Sequence, residues 1–194
     1  PALMGIVADR WIQAQKVLSL CHFLAGSMMI AASLYCIQVA DNVDFPTLFA
    51  LYSVSVAFFM PTIALANSVS YNALDKAGLD AVKAFPPIRV FGTVGFIVSM
   101  WIVDLSGWQT TSLQFLWSGI LSIILALYSL TMPKCATNDS KTNSSIVQAL
   151  GLEAFKLFKN YRMALFFIFS MLLGCCLQIT NGYAGPFLQS FGIN

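Results

Sequence analysis

Between Val17 and Ala40, and again between Phe45 and Leu74, the chain contains no Lys, Arg, Asp or Glu. Each run is long enough to cross a bilayer as a helix, which takes about 20 residues. Two more such runs follow, Thr110–Met132 and Met163–Asn194, and a fifth ends near Asp104 with Arg89 as its one charge. Only 9% of the residues are charged and 58% are hydrophobic, whereas a soluble domain has about 25% charged residues. Most of this chain must therefore lie in lipid, and the fold class expected is an all-α integral membrane protein.

The polar stretches divide the spans. Pro1–Ala8 is apolar but too short to cross, and reads as the end of a helix already in mid-course, with no signal peptide visible. Asp9–Lys16 forms a short hairpin, Asp41–Asp44 an acidic turn and Asp75–Lys83 a second polar loop. SGWQ turns the chain at Gly107, with Trp108 at the interface. TNDSKTNSS is a polar linker, and IVQALGLEAFKLFK after it is amphipathic. The total is five full spans plus a stub. Pro61 is expected to kink its helix, and Gly182, Gly185 and Pro186 to end or bend the last one.

Taken alternately, the loops sort the charges. Arg10, Lys16, Lys76, Lys83, Lys134, Lys141, Lys156, Lys159 and Arg162 fall on one side, and the loops of the other side hold Asp41, Asp44 and Asp104 with no Lys or Arg. By the positive-inside rule the basic side is cytoplasmic. The net charge of +2 and the absence of a basic cluster argue against nucleic-acid binding. Five cysteines (Cys21, Cys36, Cys135, Cys175, Cys176) show no CxxC or Cys/His ligand spacing, and the four in apolar runs read as small packing residues. No nucleophile–base pair, metal cluster or phosphate loop stands out, so the chain does not read as an enzyme and no cofactor is expected.

The polar residues within the spans carry the functional signal. In FPPIRVFGTVGF, a helix would bring Arg89, Thr93 and Phe96 onto one face at i, i+4 and i+7. A cation, a hydroxyl and an aromatic ring together suit a ligand with hydrogen-bonding groups at one end and a flat ring at the other. Arg89 has two readings. It snorkels to the headgroups, or, with a helix starting near Asp80, it lies about 13 Å deep at 1.5 Å per residue. Gln178 and Asn181, at i and i+3 in the last span, are either glue between helices or amides that bind ligand hydroxyls. Asn67, Ser68, Ser70, Tyr71 and Asn72 are weaker candidates of the same kind, and His22 has a conceivable proton-relay role.

Several stretches carry a family resemblance: PALMGIVADR, FFMPTIALANSVSY, FPPIRVFGTVGFIVSMWIVDLSG, LGLEAFKLFKNYRMALFFIFSMLLG and LQITNGY. The chain resembles the bacterial nucleoside:proton symporters of the major facilitator superfamily over essentially its whole length. The resemblance implies two six-helix halves in the complete protein, of which this chain is a part. Residues 1–134 then belong to the N-terminal half: the end of the second helix, then helices at about 15–40, 45–75, 84–106 and 110–133. Residues 135–160 form the cytoplasmic linker, and 161–194 the seventh helix, which opens the C-terminal half. The family's binding-site arginine, threonine, phenylalanine, glutamine and asparagine match Arg89, Thr93, Phe96, Gln178 and Asn181. In GIVADR, Gly5, Asp9 and Arg10 match the superfamily's loop motif, in which the Asp latches two helices. Ile12, Gln13 and Ala14 replace its second glycine and basic pair.

The implied function is proton-coupled import of nucleosides across the bacterial inner membrane by a multi-pass monomer, with nucleoside, protons and the lipid bilayer as its partners. Two alternatives stay open on the residues alone. One is a different polar solute, such as a sugar, on the same scaffold. The other is a membrane scaffold subunit whose polar residues serve only as glue between helices.

Overall fold

The computed structural model describes Met4, Ala8, residues 12–135 and residues 157–192, with the side chains of Asp41 and Asn181 left aside. Gly5, Asp9, Arg10 and most of the linker lie outside the described residues. Five α-helices are delimited within the described residues: α1 Ala14–Val39, α2 Phe45–Lys76, α3 Ala81–Leu105, α4 Leu113–Ser129 and α5 Tyr161–Ser190. A 3-10 turn, Ala40–Asn42, follows α1, and there is no strand among the described residues. The all-α membrane architecture read from the sequence is the one observed. The chain forms two compact units, 1–143 and 144–194, each described by itself.

Side chains start three of the helices. Asp44 accepts from the Thr47 N–H at 3.1 Å, Asp80 from Val82 N–H at 3.0 Å and Asn160 from Arg162 N–H at 3.1 Å. Each satisfies one of the donors that a helix start leaves unpaired. Glycines end two of them. Gly78 and Gly107 both take φ +68, a left-handed conformation that glycine adopts at no steric cost. The bonds Leu79 N–H to Leu74 O and Trp108 N–H to Val103 O, 3.0 Å each, complete Schellman motifs.

Four helices, α1, α2, α3 and α5, are long and apolar enough to span a membrane, while α4 is shorter at 17 residues. The run Thr110–Met132 is thus not helical throughout. Beyond Ser129 the bonds Leu130 N–H to Leu127 O and Thr131 N–H to Tyr128 O tighten to i→i−3, and Pro133 disfavours helix in the residue before it. The helix starts also differ from a reading in which 75–83 is loop. Helix α2 runs to Lys76 and α3 begins at Ala81, leaving only four residues between them. In α5 the helix continues through Gly182, Gly185 and Pro186 to Ser190. A proline within a spanning helix removes one backbone bond without stopping the chain of the others.

In the first unit α1 packs along both α2 and α4, and α3 touches α2 lightly. In lipid, apolar side chains gain little by leaving one apolar medium for another, so helices associate through small residues and interhelical hydrogen bonds. The α1–α4 contact shows both. A Cβ on Gly119 would fall 2.6 Å from Ile30 Cγ1 and 3.0 Å from the Gly26 carbonyl oxygen, so only glycine permits this approach. Ser19 donates to the Ala126 carbonyl at 2.7 Å, Ser122 to His22 at 2.9 Å and Ser33 to Ser112 at 2.9 Å. Ser55 ties α2 to the Ala25 carbonyl at 2.8 Å.

Two contacts bring three basic residues to one end of this bundle. Gln15, at the start of α1, accepts from the Cys135 N–H beyond α4 at 3.0 Å. Lys76, at the end of α2, donates to the Lys134 carbonyl. Lys16, Lys76 and Lys134 therefore lie at one end of this bundle. Cys135 is buried there with Ala14, Val17 and Val69. Burial pushes its thiol above the ordinary range, and the Lys76 charge with a backbone hydrogen bond at Gln15 offsets this in part.

Candidate functional site

The candidate face on α3 begins with the position of the helix start. Because Asp80 caps α3, Arg89 stands well inside the helix, about 13 Å along its axis at 1.5 Å per residue. Pro86 and Pro87 lie within the helix. They bring no N–H for the carbonyls of Val82 and Lys83, which lose their i→i−4 bonds. Arg89, Thr93 and Phe96 share one face, and all three are exposed in the first unit, Phe96 by 66%. Phe85, four residues before Arg89, extends this face toward the Asp80 end. Its ring lies 4.5 Å from that of Tyr71, at the edge of an open cleft of about 560 Å³ that Asn72 and Asp75 also line.

The direction of the Arg89 side chain separates its two readings. Its Nη1 lies 3.2 Å from the place a Cβ on Gly92 would take. The arm runs along α3 away from Asp80, whereas helical side chains usually lean back toward the N-terminus. A snorkelling arginine would lean toward the nearer helix end. Lys83, near that end, does so and pairs with Asp80 at 3.7 Å. Among the described residues Arg89 has no ion pair.

In the second unit, Gln178 and Asn181 stand on α5, three residues apart and so on one side of it. Gln178 is exposed. Thr180, which also interrupts that apolar run, donates to the Cys176 carbonyl at 2.9 Å and is satisfied within its own helix. Ser70 likewise donates to the Ala66 carbonyl and Asn72 to the Ser68 carbonyl, at 2.8 and 3.0 Å.

His22 is a joint between helices. It is 8% exposed, and the Ser122 hydroxyl donates to its carbonyl. Ser122 Oγ also lies 3.2 Å from His22 Nδ1. A hydroxyl has a single hydrogen, so Nδ1 must supply the proton of the second bond. The Phe59 ring meets the imidazole edge-on at 6.1 Å. Beside His22, residues including Tyr52, Ser55, Phe59 and Leu121 line a cavity of about 410 Å³. No group of three potential metal ligands occurs among the described residues.

Two residues of the α3 face carried signals that residue type alone did not single out. Phe85 is at i−4 from Arg89. Gly92, at i+3, is a glycine in the middle of a span, where it costs roughly 1 kcal/mol relative to alanine in an exposed helix interior and so invites a packing reason.

A family model described as "Nucleoside H+ symporter" matches residues 1–194. The xanthosine permease of Escherichia coli (strain K12) is 49% identical over 195 residues, covering 100% of this chain and 45% of the permease. The nucleoside permease NupG of the same organism is 45% identical over 191 residues, covering 98% of this chain and 44% of that protein. The crystal structure of a mutant of nucleoside transporter NupG superposes with a TM-score of 0.79 at 45% identity, over 98% of this chain and 46% of that one. The chain thus spans less than half the length of the relatives it matches.

Proposed function

Since the chain belongs to the nucleoside H+ symporter family, we propose that the full-length protein imports nucleosides together with protons across the bacterial inner membrane by alternating access. The observation that carries this reading is the α3 face, where Arg89, Thr93 and Phe96 align and the Arg89 arm runs inward along the helix. In this reading Phe96 stacks on the nucleobase, and Arg89 and Thr93 hydrogen-bond the base or ribose. Gln178 and Asn181 on α5 are also substrate ligands in this reading, each amide offering both a donor and an acceptor. Nucleosides are uncharged, so the cation acts as a fork of hydrogen-bond donors and not as a counter-ion.

In the same reading residues 1–134 belong to the N-terminal half, 135–160 link the halves, and 161–194 open the C-terminal half of a monomer. Asp9, in the motif it forms with Gly5 and Arg10, helps latch two helices. Uptake of labelled uridine by cells making the full-length protein tests the reading. Uptake should be competed by other nucleosides and not by hexoses, and should collapse with an uncoupler. Competition by hexose alone would move the substrate to another class, and no uptake at all would favour a scaffold.

The end that gathers Lys16, Lys76 and Lys134 faces the cytoplasm, because nine basic residues fall on that side of the alternating loops and none on the other. A cysteine placed at position 76 or 141 of an otherwise cysteine-free protein should resist an impermeant maleimide in intact cells, and one at position 44 should react. The reverse pattern would invert the topology.

A further inference from the structure

We propose that Gly92 is a positioning residue for the substrate site: its missing side chain makes the berth in which the Arg89 guanidinium lies. The inference rests on the reading of Arg89 as a substrate ligand and names the feature of α3 that sets where its cation stands.

The geometry begins with the two glycines of this helix, Gly92 and Gly95. A Cβ on Gly95 would meet nothing within 4 Å. A Cβ on Gly92 would meet a single atom, Arg89 Nη1, at 3.2 Å. The two positions lie in the same helix and are both exposed, but only Gly92 has this contact. Helix geometry puts residue 92 on the same side as residue 89, one turn further from Asp80. The guanidinium thus lies over bare backbone at the level of Gly92, about 18 Å along the axis from the helix start. Any side chain at 92 would take part of that space. Because the clash is with the far end of a flexible arm, the arm would yield and the helix would stay intact.

Folding and function therefore respond in opposite directions. Alanine has the higher helix propensity, so Gly92→Ala leaves the helix as stable or more so. The guanidinium meanwhile must give way by a few tenths of an ångström for alanine, and by more for the larger side chain of valine. An oriented fork of hydrogen bonds tolerates displacements of only about 0.5 Å, which valine exceeds more readily than alanine. Gly92 thereby fixes depth, and Arg89 supplies the donors.

The test uses the full-length protein with Gly92→Ala, Gly92→Val, Gly95→Ala and Gly95→Val, reading KM and maximal rate of uridine uptake, abundance in the membrane and Tm. At position 92, KM should rise at least fivefold with alanine and further with valine, while abundance and Tm hold. At position 95, KM should stay within twofold of wild type. Equal KM at 92 and wild type, a matching rise at 92 and 95, or a loss of abundance at 92 with normal KM would each overturn the proposal. The last outcome would make Gly92 a packing glycine. Absence of uridine uptake by the wild-type protein would instead refute the transport reading, and this inference with it.

Discussion

Replacing Arg89 by lysine is expected to lower uridine uptake by the full-length protein at least tenfold at normal abundance, with Arg89→Ala no better. The expectation follows from where the arm goes. A cation that served the headgroups would keep its role as lysine, since both side chains carry a charge on a flexible stem. The Arg89 guanidinium lies instead over Gly92, directed away from the capped start of α3. In that place a planar fork can engage two acceptors on a ligand at once, whereas an ammonium is a compact, strongly hydrated point charge. Lost hydrogen bonds to a charged group are worth about 1.5–3 kcal/mol each, and 1.36 kcal/mol is about tenfold. One unmatched bond therefore suffices for the stated loss. Near-normal uptake by the lysine variant would return Arg89 to the interface.

How much of this could be read from residues differs between the scaffold and the site. The spans were legible because lipid admits long charge-free runs and little else, and the caps Asp44, Asp80 and Asn160 follow from residue type. The ends of α4 were not. Thr110 to Met132 has no charge to mark a stop, and hydropathy does not record the tightening of bonds after Ser129. The helical path of α5 through Pro186 was equally hidden, since a proline announces a lost bond without saying whether the helix goes on.

Within the site, periodicity alone aligned Arg89, Thr93 and Phe96, because a 3.6-residue repeat fixes which positions share a face. The direction of the Arg89 arm was not legible. It depends on which rotamer the arm takes over Gly92, and the helical repeat does not specify a rotamer. His22 shows the converse. As a lone titratable residue in a span it invited a functional role, but two hydrogen bonds with Ser122 make it a fastening between α1 and α4. The same small-residue logic explains Gly26 and Gly119, whose partners lie far apart in sequence and could not be paired from one chain.

In the proposed site the exposed face of α3 holds the nucleobase, and Phe96 is the residue that stacks on it. Its ring is 66% exposed and stands two turns beyond Arg89 on the same face. Stacking of a base on an aromatic side chain is worth about 1–3 kcal/mol on nucleic-acid platforms, or roughly 5- to 150-fold in affinity at 1.4 kcal/mol per tenfold. An aromatic that served only packing would instead show its loss in folding. The deciding measurement is calorimetric titration of uridine into purified full-length protein, wild type beside Phe96→Ala, with membrane abundance recorded for both. The account predicts weaker binding by Phe96→Ala within that range at unchanged abundance. Wild-type affinity in a poorly accumulating variant would contradict it.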